Sequence, residues 1–93
     1  MEMKAEEILR TAADLVSGPR KKQHGEVSDV FDTAAALFDI ATGASIAPVD
    51  GIMFMVCLKI ARIRNGNFNI DDYIDACGYL ALAGQLSGEF HEG

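Results

Sequence analysis

Apolar residues recur along this chain at intervals of three and four, the spacing that places them on one face of a helix. The pattern occurs in four segments, at about residues 4–17, 27–42, 48–64 and 70–86. No stretch alternates apolar and polar residues as a half-buried strand does, and Asn65-Gly66 lies between two helical patterns rather than in a hairpin. The sequence therefore predicts an all-α fold whose helices are joined by short connections.

The residues at the ends of these segments are typical of helix termini. Gly43 ends the second helix, because glycine readily adopts the left-handed conformation of a helix cap. Pro48 suits the first turn of the third helix, where a missing amide proton costs nothing. Asn69 is expected to cap the fourth helix by accepting a hydrogen bond from the amide of Asp71 or Asp72.

The third segment is apolar on every side. Its middle reads IMFMVCL, residues 52–58, which predicts the central helix of the fold. The chain has 93 residues, 49% of them hydrophobic, which suits one small domain at residues 1–86 with a flexible tail at residues 87–93. A core of this size does not cover two largely apolar stretches. We therefore expect a compact antiparallel four-helix bundle completed by oligomerisation, as a dimer or tetramer.

The net charge of −6 argues against a general binder of duplex DNA, which needs a basic surface. Six of the eight lysines and arginines nevertheless fall at residues 20–22 and 59–64, where a small anion such as phosphate could be held. The longest apolar run is too short to span a bilayer, and the charged start MEMKAEEILR is not a signal peptide. We expect a cytoplasmic protein without a membrane partner, whose cysteines, Cys57 and Cys77, are reduced and lie in the core.

One carboxylate in the apolar run DDYIDACGYLALAG, residues 71–84, requires a partner. Asp75 is surrounded by apolar residues, and an unpaired buried carboxylate is costly. A short loop makes the third and fourth helices antiparallel, so Lys59 and Arg62 are expected near the stretch Asp71–Asp75. Two interpretations stay open: an ion pair that fixes the register of the helices, or a site where the acids hold a divalent metal and the bases hold a phosphate.

A second acidic set, Glu26-x-x-Asp29, opens the second helix. These residues could be favourable charges at a helix start, or they could form half of a Mg²⁺ site with Asp72-x-x-Asp75. Under the second interpretation Lys59 and Arg62 contact phosphate oxygens, helped by the basic loop. The remaining candidates are Arg20 and His24 in that loop as ligand-binding residues, and Asp71 and Tyr79 as neighbours that support the metal ligands. No catalytic nucleophile can be assigned.

Three stretches resemble a family of small phage and prophage proteins of unassigned function: HGEVSDVF, PVDGIMFMVCLKIARIRNG and DDYIDACGYLAL. That family has an Arg followed by a Tyr-Gly-Asp or Tyr-Gly-His loop, a Met-rich helix ending Leu-Lys-x-Ala-Arg, and an Asp-x-x-x-Asp-x-x-Gly-Tyr helix. The matching positions are Arg20, Met53, Met55, Leu58, Lys59, Ala61, Arg62, Asp71, Asp75, Gly78 and Tyr79. The loop departs from the pattern and reads Gln-His-Gly. The resemblance covers roughly residues 8–86.

More distantly, the layout is similar to the all-α nucleoside triphosphate pyrophosphohydrolases of the MazG and dimeric dUTPase type. Those enzymes bind Mg²⁺ through Glu-x-x-Glu on one helix and Glu-x-x-Asp on another, whereas this chain has Asp at positions 29 and 72. The resemblance implies a phage protein that handles nucleotides, as a Mg²⁺-dependent hydrolase acting between the α and β phosphates. The alternatives are a protein that sequesters a nucleotide without chemistry, in the manner of an anti-defence protein, and a structural or protein-interaction module.

Overall fold

Four α-helices make up the part of the chain that the computed structural model describes, residues 2–17 and 27–91. In chain order they are α1 (Ala5–Ser17), α2 (Val27–Thr42), α3 (Pro48–Asn65) and α4 (Ile70–His91). Within the described ranges there is no strand, which confirms the all-α prediction. The predicted ends of the first three helices agree with the structure to within one residue.

The fourth helix is longer than its sequence pattern predicted. α4 continues to His91, past the predicted end at Leu86. Leu86 and Ser87 are half-buried, whereas Gly88 and Glu89 are exposed, so the helix extends beyond its packed part. A glycine inside a helix costs only about 1 kcal/mol relative to alanine, so Gly88 does not stop it. The division into a domain at residues 1–86 and a flexible tail at residues 87–93 stays a prediction.

Side-chain and backbone caps define the two described turns between helices. Gly43 has a φ of 75°, the left-handed conformation that its position after α2 predicted. A carboxylate oxygen of Asp39 accepts a hydrogen bond from the amide of Ile46 at 3.0 Å, which closes the α2–α3 turn. The side chain of Asn69 accepts one from the amide of Asp71, also at 3.0 Å, and this confirms the predicted cap of α4.

The α3–α4 hairpin is the centre of the fold. α3 packs most extensively against α4, α1 packs against α4, and α2 packs against α3. Two glycines allow close approach of the outer helices: a Cβ on Gly51 would lie 3.0 Å from the Cδ1 of Phe31, and one on Gly78 would lie 3.4 Å from a methyl of Val16. α3 therefore contacts both α2 and α4, as expected for a central helix.

The apolar core is small. Among the described side chains only Ile52 is both large and fully buried, and three of the other five buried apolar residues are alanines. Large apolar side chains are exposed on every described helix, and Phe68 is exposed in the α3–α4 loop. The radius of gyration is 14.4 Å, against roughly 12 Å for a compact domain of this length. The helices are thus more open than a closed bundle, and completion by oligomerisation stays a prediction.

Candidate functional site

The carboxylate of Asp75 pairs with the ammonium group of Lys59, with Nζ and Oδ2 3.0 Å apart. Lys59 lies near the end of α3 and Asp75 near the start of α4, so the contact reflects the expected antiparallel arrangement. The side chains are 12% and 29% exposed, respectively, which makes this a largely buried ion pair. Such a pair is destabilising to break, because removing one partner leaves the other charge without compensation.

A cleft lies where α3 ends and α4 begins. We call it the junction cleft; its volume is about 490 Å³. Its lining consists of Ala61, Arg62, Asn65, Gly66, Asn67, Asn69 and Asp72. Five of the seven lining residues are polar or charged, although most of the exposed lining surface is apolar, and the cleft is wide open to solvent.

Asp72 is the buried carboxylate of the junction cleft, with 8% of the residue exposed. It lies in the first turn of α4, where the partial positive charge of the helix terminus favours a carboxylate. Its backbone amide donates to the carbonyl of Asn69 at 3.1 Å, which fixes its position at the cleft wall. Every buried side-chain nitrogen or oxygen in the described ranges has a hydrogen-bond partner.

Arg62 contributes a positive charge to the same cleft. It is exposed, and it forms no ion pair with any residue in the described part of the chain. A guanidinium group offers five N–H donors in a plane, which suits carboxylate and phosphate oxygens. The junction cleft therefore combines a cation, a carboxylate and several amides on one open surface.

Three asparagine side chains complete the cleft, and sequence reasoning found only one of them, as a cap. Asn65 uses its amide nitrogen to donate to the carbonyl of Ala61 at 2.9 Å, so its side-chain oxygen is still able to accept. Asn69 uses its oxygen at the α4 cap and keeps two N–H donors. The signal available in the sequence was the loop NGNFN, in which three of five residues are asparagine.

The structure describes only some of the residues predicted to bind Mg²⁺ or the phosphate-bearing ligand. Glu26, His24 and Arg20 lie outside the described residues. Asp29 is exposed on α2, which packs against α3, whereas Asp72 and Asp75 lie on α4. In residues 2–17 and 27–91 no three His, Cys, Asp or Glu side chains are grouped as a metal site. The four-carboxylate Mg²⁺ site stays a prediction, as do the roles of exposed Asp71 and half-buried Tyr79.

Across the described ranges, no helix combines the length and apolar character that crossing a bilayer requires.

The fold and cleft define a small all-helical protein with an open cleft at a helix junction. The chain belongs to the family described as "Domain of unknown function (DUF6378)", whose profile matches residues 7–87. This places it, as expected, in a family of proteins of unknown function with phage relatives.

Two phage proteins are similar to the chain over most of its length. It is 30% identical over 89 residues to the "Gene 55 protein" of Mycobacterium phage D29, covering 96% of this chain and 59% of that protein. It is 30% identical over 76 residues to the "Gene 55 protein" of Mycobacterium phage L5, covering 81% and 49%. The chain thus spans about half the length of these relatives, or slightly more. No solved structure matches it. A relation to MazG-type hydrolases is not shown and stays a hypothesis.

Proposed function

We propose that this phage-related protein binds a small phosphate-bearing ligand, a nucleotide, in the junction cleft without altering it, in the cytoplasm of the host. The observation that carries the proposal is the position of Arg62, which is exposed in the cleft and has no ion-pair partner among the described residues. A guanidinium group binds phosphate oxygens through paired hydrogen bonds. The other polar lining groups can form hydrogen bonds with a base or a sugar.

The amides and the carboxylate have complementary parts in this proposal. Asn69 keeps N–H donors and Asn65 keeps an acceptor oxygen, so both the acceptor and the donor groups on the edge of a base can form hydrogen bonds here. Asp72 is placed to accept hydrogen bonds from an amino group or a ribose hydroxyl. Lys59 is less suited to binding phosphate, because its ammonium group is already paired with Asp75.

The test is a titration with linear and cyclic nucleotides, in which binding heat and phosphorus NMR are followed with and without Mg²⁺. We expect one nucleotide to bind without product. Arg62→Gln should weaken its binding about ten- to a hundredfold, the range expected for losing a hydrogen bond to a charged group. The matched control is Arg10→Gln, which removes the same charge from α1 at an exposed i,i+4 pair with Glu6. Equal affinities for the two variants would rule out the junction cleft as the phosphate site.

Hydrolysis with Mg²⁺ is the second candidate function, supported by the buried carboxylate of Asp72 beside Arg62. It requires Glu26 and Asp29 to join Asp72 and Asp75, and it requires Asp75 to share or leave its contact with Lys59. Release of pyrophosphate that depends on Mg²⁺, and that is lost in Glu26→Gln and Asp72→Asn, would establish it in place of simple binding. Product formation that is unaffected by these substitutions would exclude this set of ligands.

A further inference from the structure

The side of α3 that faces away from α4 carries exposed apolar residues with a charge at each end. We call it the outer α3 face; it consists of Asp50, Met53, Phe54, Cys57, Ile60 and Arg64. All six are exposed, and they recur at the spacing that keeps residues on one side of a helix. Phe54 is 67% and Ile60 is 54% exposed, so the middle of the face is an uncovered apolar ridge. Cys57, expected in the core, lies in this ridge instead.

The residues of the outer α3 face are arranged symmetrically about Cys57. Asp50 and Arg64 each lie seven residues from Cys57, and Phe54 and Ile60 each lie three residues from it. If a second α3 helix is laid antiparallel on the first, with a two-fold axis at Cys57, Asp50 meets Arg64 of the copy and Phe54 meets Ile60. A two-fold interface requires this kind of self-complementarity. Where one residue of the first copy contacts a second residue of the other copy, the same two residues also meet with the copies exchanged.

The charges also favour this direction over the alternative. A parallel arrangement would bring Asp50 beside Asp50 and Arg64 beside Arg64, and like charges at an interface are unfavourable. Arg64 forms no ion pair with a described residue. One carboxylate oxygen of Asp50 accepts the amide proton of Ala47 at 2.9 Å, and the other forms no hydrogen bond with a described residue.

The exposed area is larger than a folded monomer of this size requires. The chain exposes 6944 Å² and has a mass of 10.0 kDa. A monomer of that mass exposes about 5,200 Å², so the surplus is on the order of 1,700 Å². Each partner of an obligate dimer buries about 1,000–2,500 Å². The surplus belongs to the whole chain, and the outer α3 face is one of the exposed surfaces that contribute to it.

We propose that the outer α3 face is the interface of a symmetric dimer, in which a second copy of this chain packs antiparallel with Cys57 at the two-fold axis. The apolar ridge is buried between the two helices, and two Asp50–Arg64 pairs close its ends. The proposal does not depend on the junction cleft or its ligand.

Cross-linking at the axis tests the position of the interface. In Cys77→Ser the remaining thiol is the exposed Cys57, and in Cys57→Ser it is the half-buried Cys77, so the second variant serves as the comparison. We expect a short bismaleimide to convert Cys77→Ser to a covalent dimer at micromolar concentration and to leave Cys57→Ser unlinked. Equal cross-linking of both variants, or a dimer in sedimentation that Cys57 does not link, would overturn the proposal.

Exchange of the end charges tests the antiparallel direction. Asp50→Arg and Arg64→Asp each place like charges at both ends of the interface, and we expect the dimer dissociation constant to rise at least tenfold. Mixing the two variants restores an opposite charge at each end, so the mixture should form a heterodimer in native mass spectrometry. Circular dichroism checks that each variant is folded, because Asp50→Arg also removes the bond to Ala47.

A mixture that dimerises no better than its components would contradict the antiparallel arrangement. If the protein is monomeric at every concentration tested, the dimer proposal is wrong. The outer α3 face would then bind a different partner.

Discussion

The two sides of α3 differ in a way that inverts the usual distribution of polar and apolar groups. The side that faces α4 contains a lysine whose ammonium group is largely buried against Asp75. The outer α3 face displays a phenylalanine and an isoleucine to solvent. Buried charges and exposed apolar ridges are the informative exceptions in a small domain, since each has a free-energy cost unless something compensates it. The charge on one side is compensated within the chain by Asp75, and the proposed dimer would cover the apolar ridge on the other side.

The largest expected effect on stability distinguishes two residues of α3, Ile52 and Phe54. Ile52 is fully buried whereas Phe54 is exposed on the outer α3 face. Ile52→Ala should lower the free energy of unfolding by about 2–5 kcal/mol, because it removes buried methyl groups and leaves a cavity. Phe54→Ala should lower stability only where the protein is a dimer, so its effect should grow with protein concentration. Urea denaturation at two protein concentrations measures both, and a Phe54→Ala effect that is independent of concentration would contradict the comparison.

Breaking the ion pair should have the next largest effect. Lys59→Met leaves the carboxylate of Asp75 without its partner and should lower the free energy of unfolding by about 1–3 kcal/mol. Adding Asp75→Leu removes the stranded charge, so the double variant should recover most of the loss.

The same double variant separates the two interpretations of the pair. If Lys59 and Asp75 only fix the helix register, nucleotide binding in the double variant should equal that of the original chain. A folded double variant that has lost nucleotide binding would give the pair a part in the site.

The smallest expected effect lies at the start of α4. Asn69→Ala removes the side-chain cap that accepts the amide proton of Asp71 and should destabilise the protein by about 1 kcal/mol. Asn67→Ala is the matched control, since this asparagine lines the junction cleft without capping the helix. Thermal unfolding of the two variants provides the measurement. A loss that is equal in both would mean that the cap does not stabilise α4.

The helix ends and the ion pair were predictable because both depend on residues close together in the sequence. Gly43, Pro48 and Asn69 act on their own turns, and a short loop alone brings Lys59 beside Asp75. The end of α4 was misjudged because the apolar pattern weakens after Leu86, whereas the helix continues through Gly88, which it tolerates at a cost of about 1 kcal/mol.

Other features depend on which helices become neighbours, and periodicity does not determine that. A helix that is apolar all round gives no sign of which side will be left uncovered, so the outer α3 face was not foreseen. Asp29 was grouped with Asp72 and Asp75 by the spacing of their motifs. In the structure α2 packs against α3 and α1 against α4, so helix packing does not by itself bring Asp29 to Asp72 and Asp75, and their grouping stays a prediction.

The short loop between α3 and α4 has a consequence for how the chain folds. Contacts within this hairpin join residues close in sequence, whereas α1 reaches α4 only after a long stretch of chain has been closed. Local contacts form with a smaller loss of chain entropy and generally form sooner. We therefore expect the hairpin to form first and α1 to dock last, so that pulse-labelled hydrogen exchange protects the amides of α3 before those of α1. Simultaneous protection of both helices would contradict this order. Until folding is complete, the ion pair of Lys59 and Asp75 would hold together a nucleus that already carries the junction cleft.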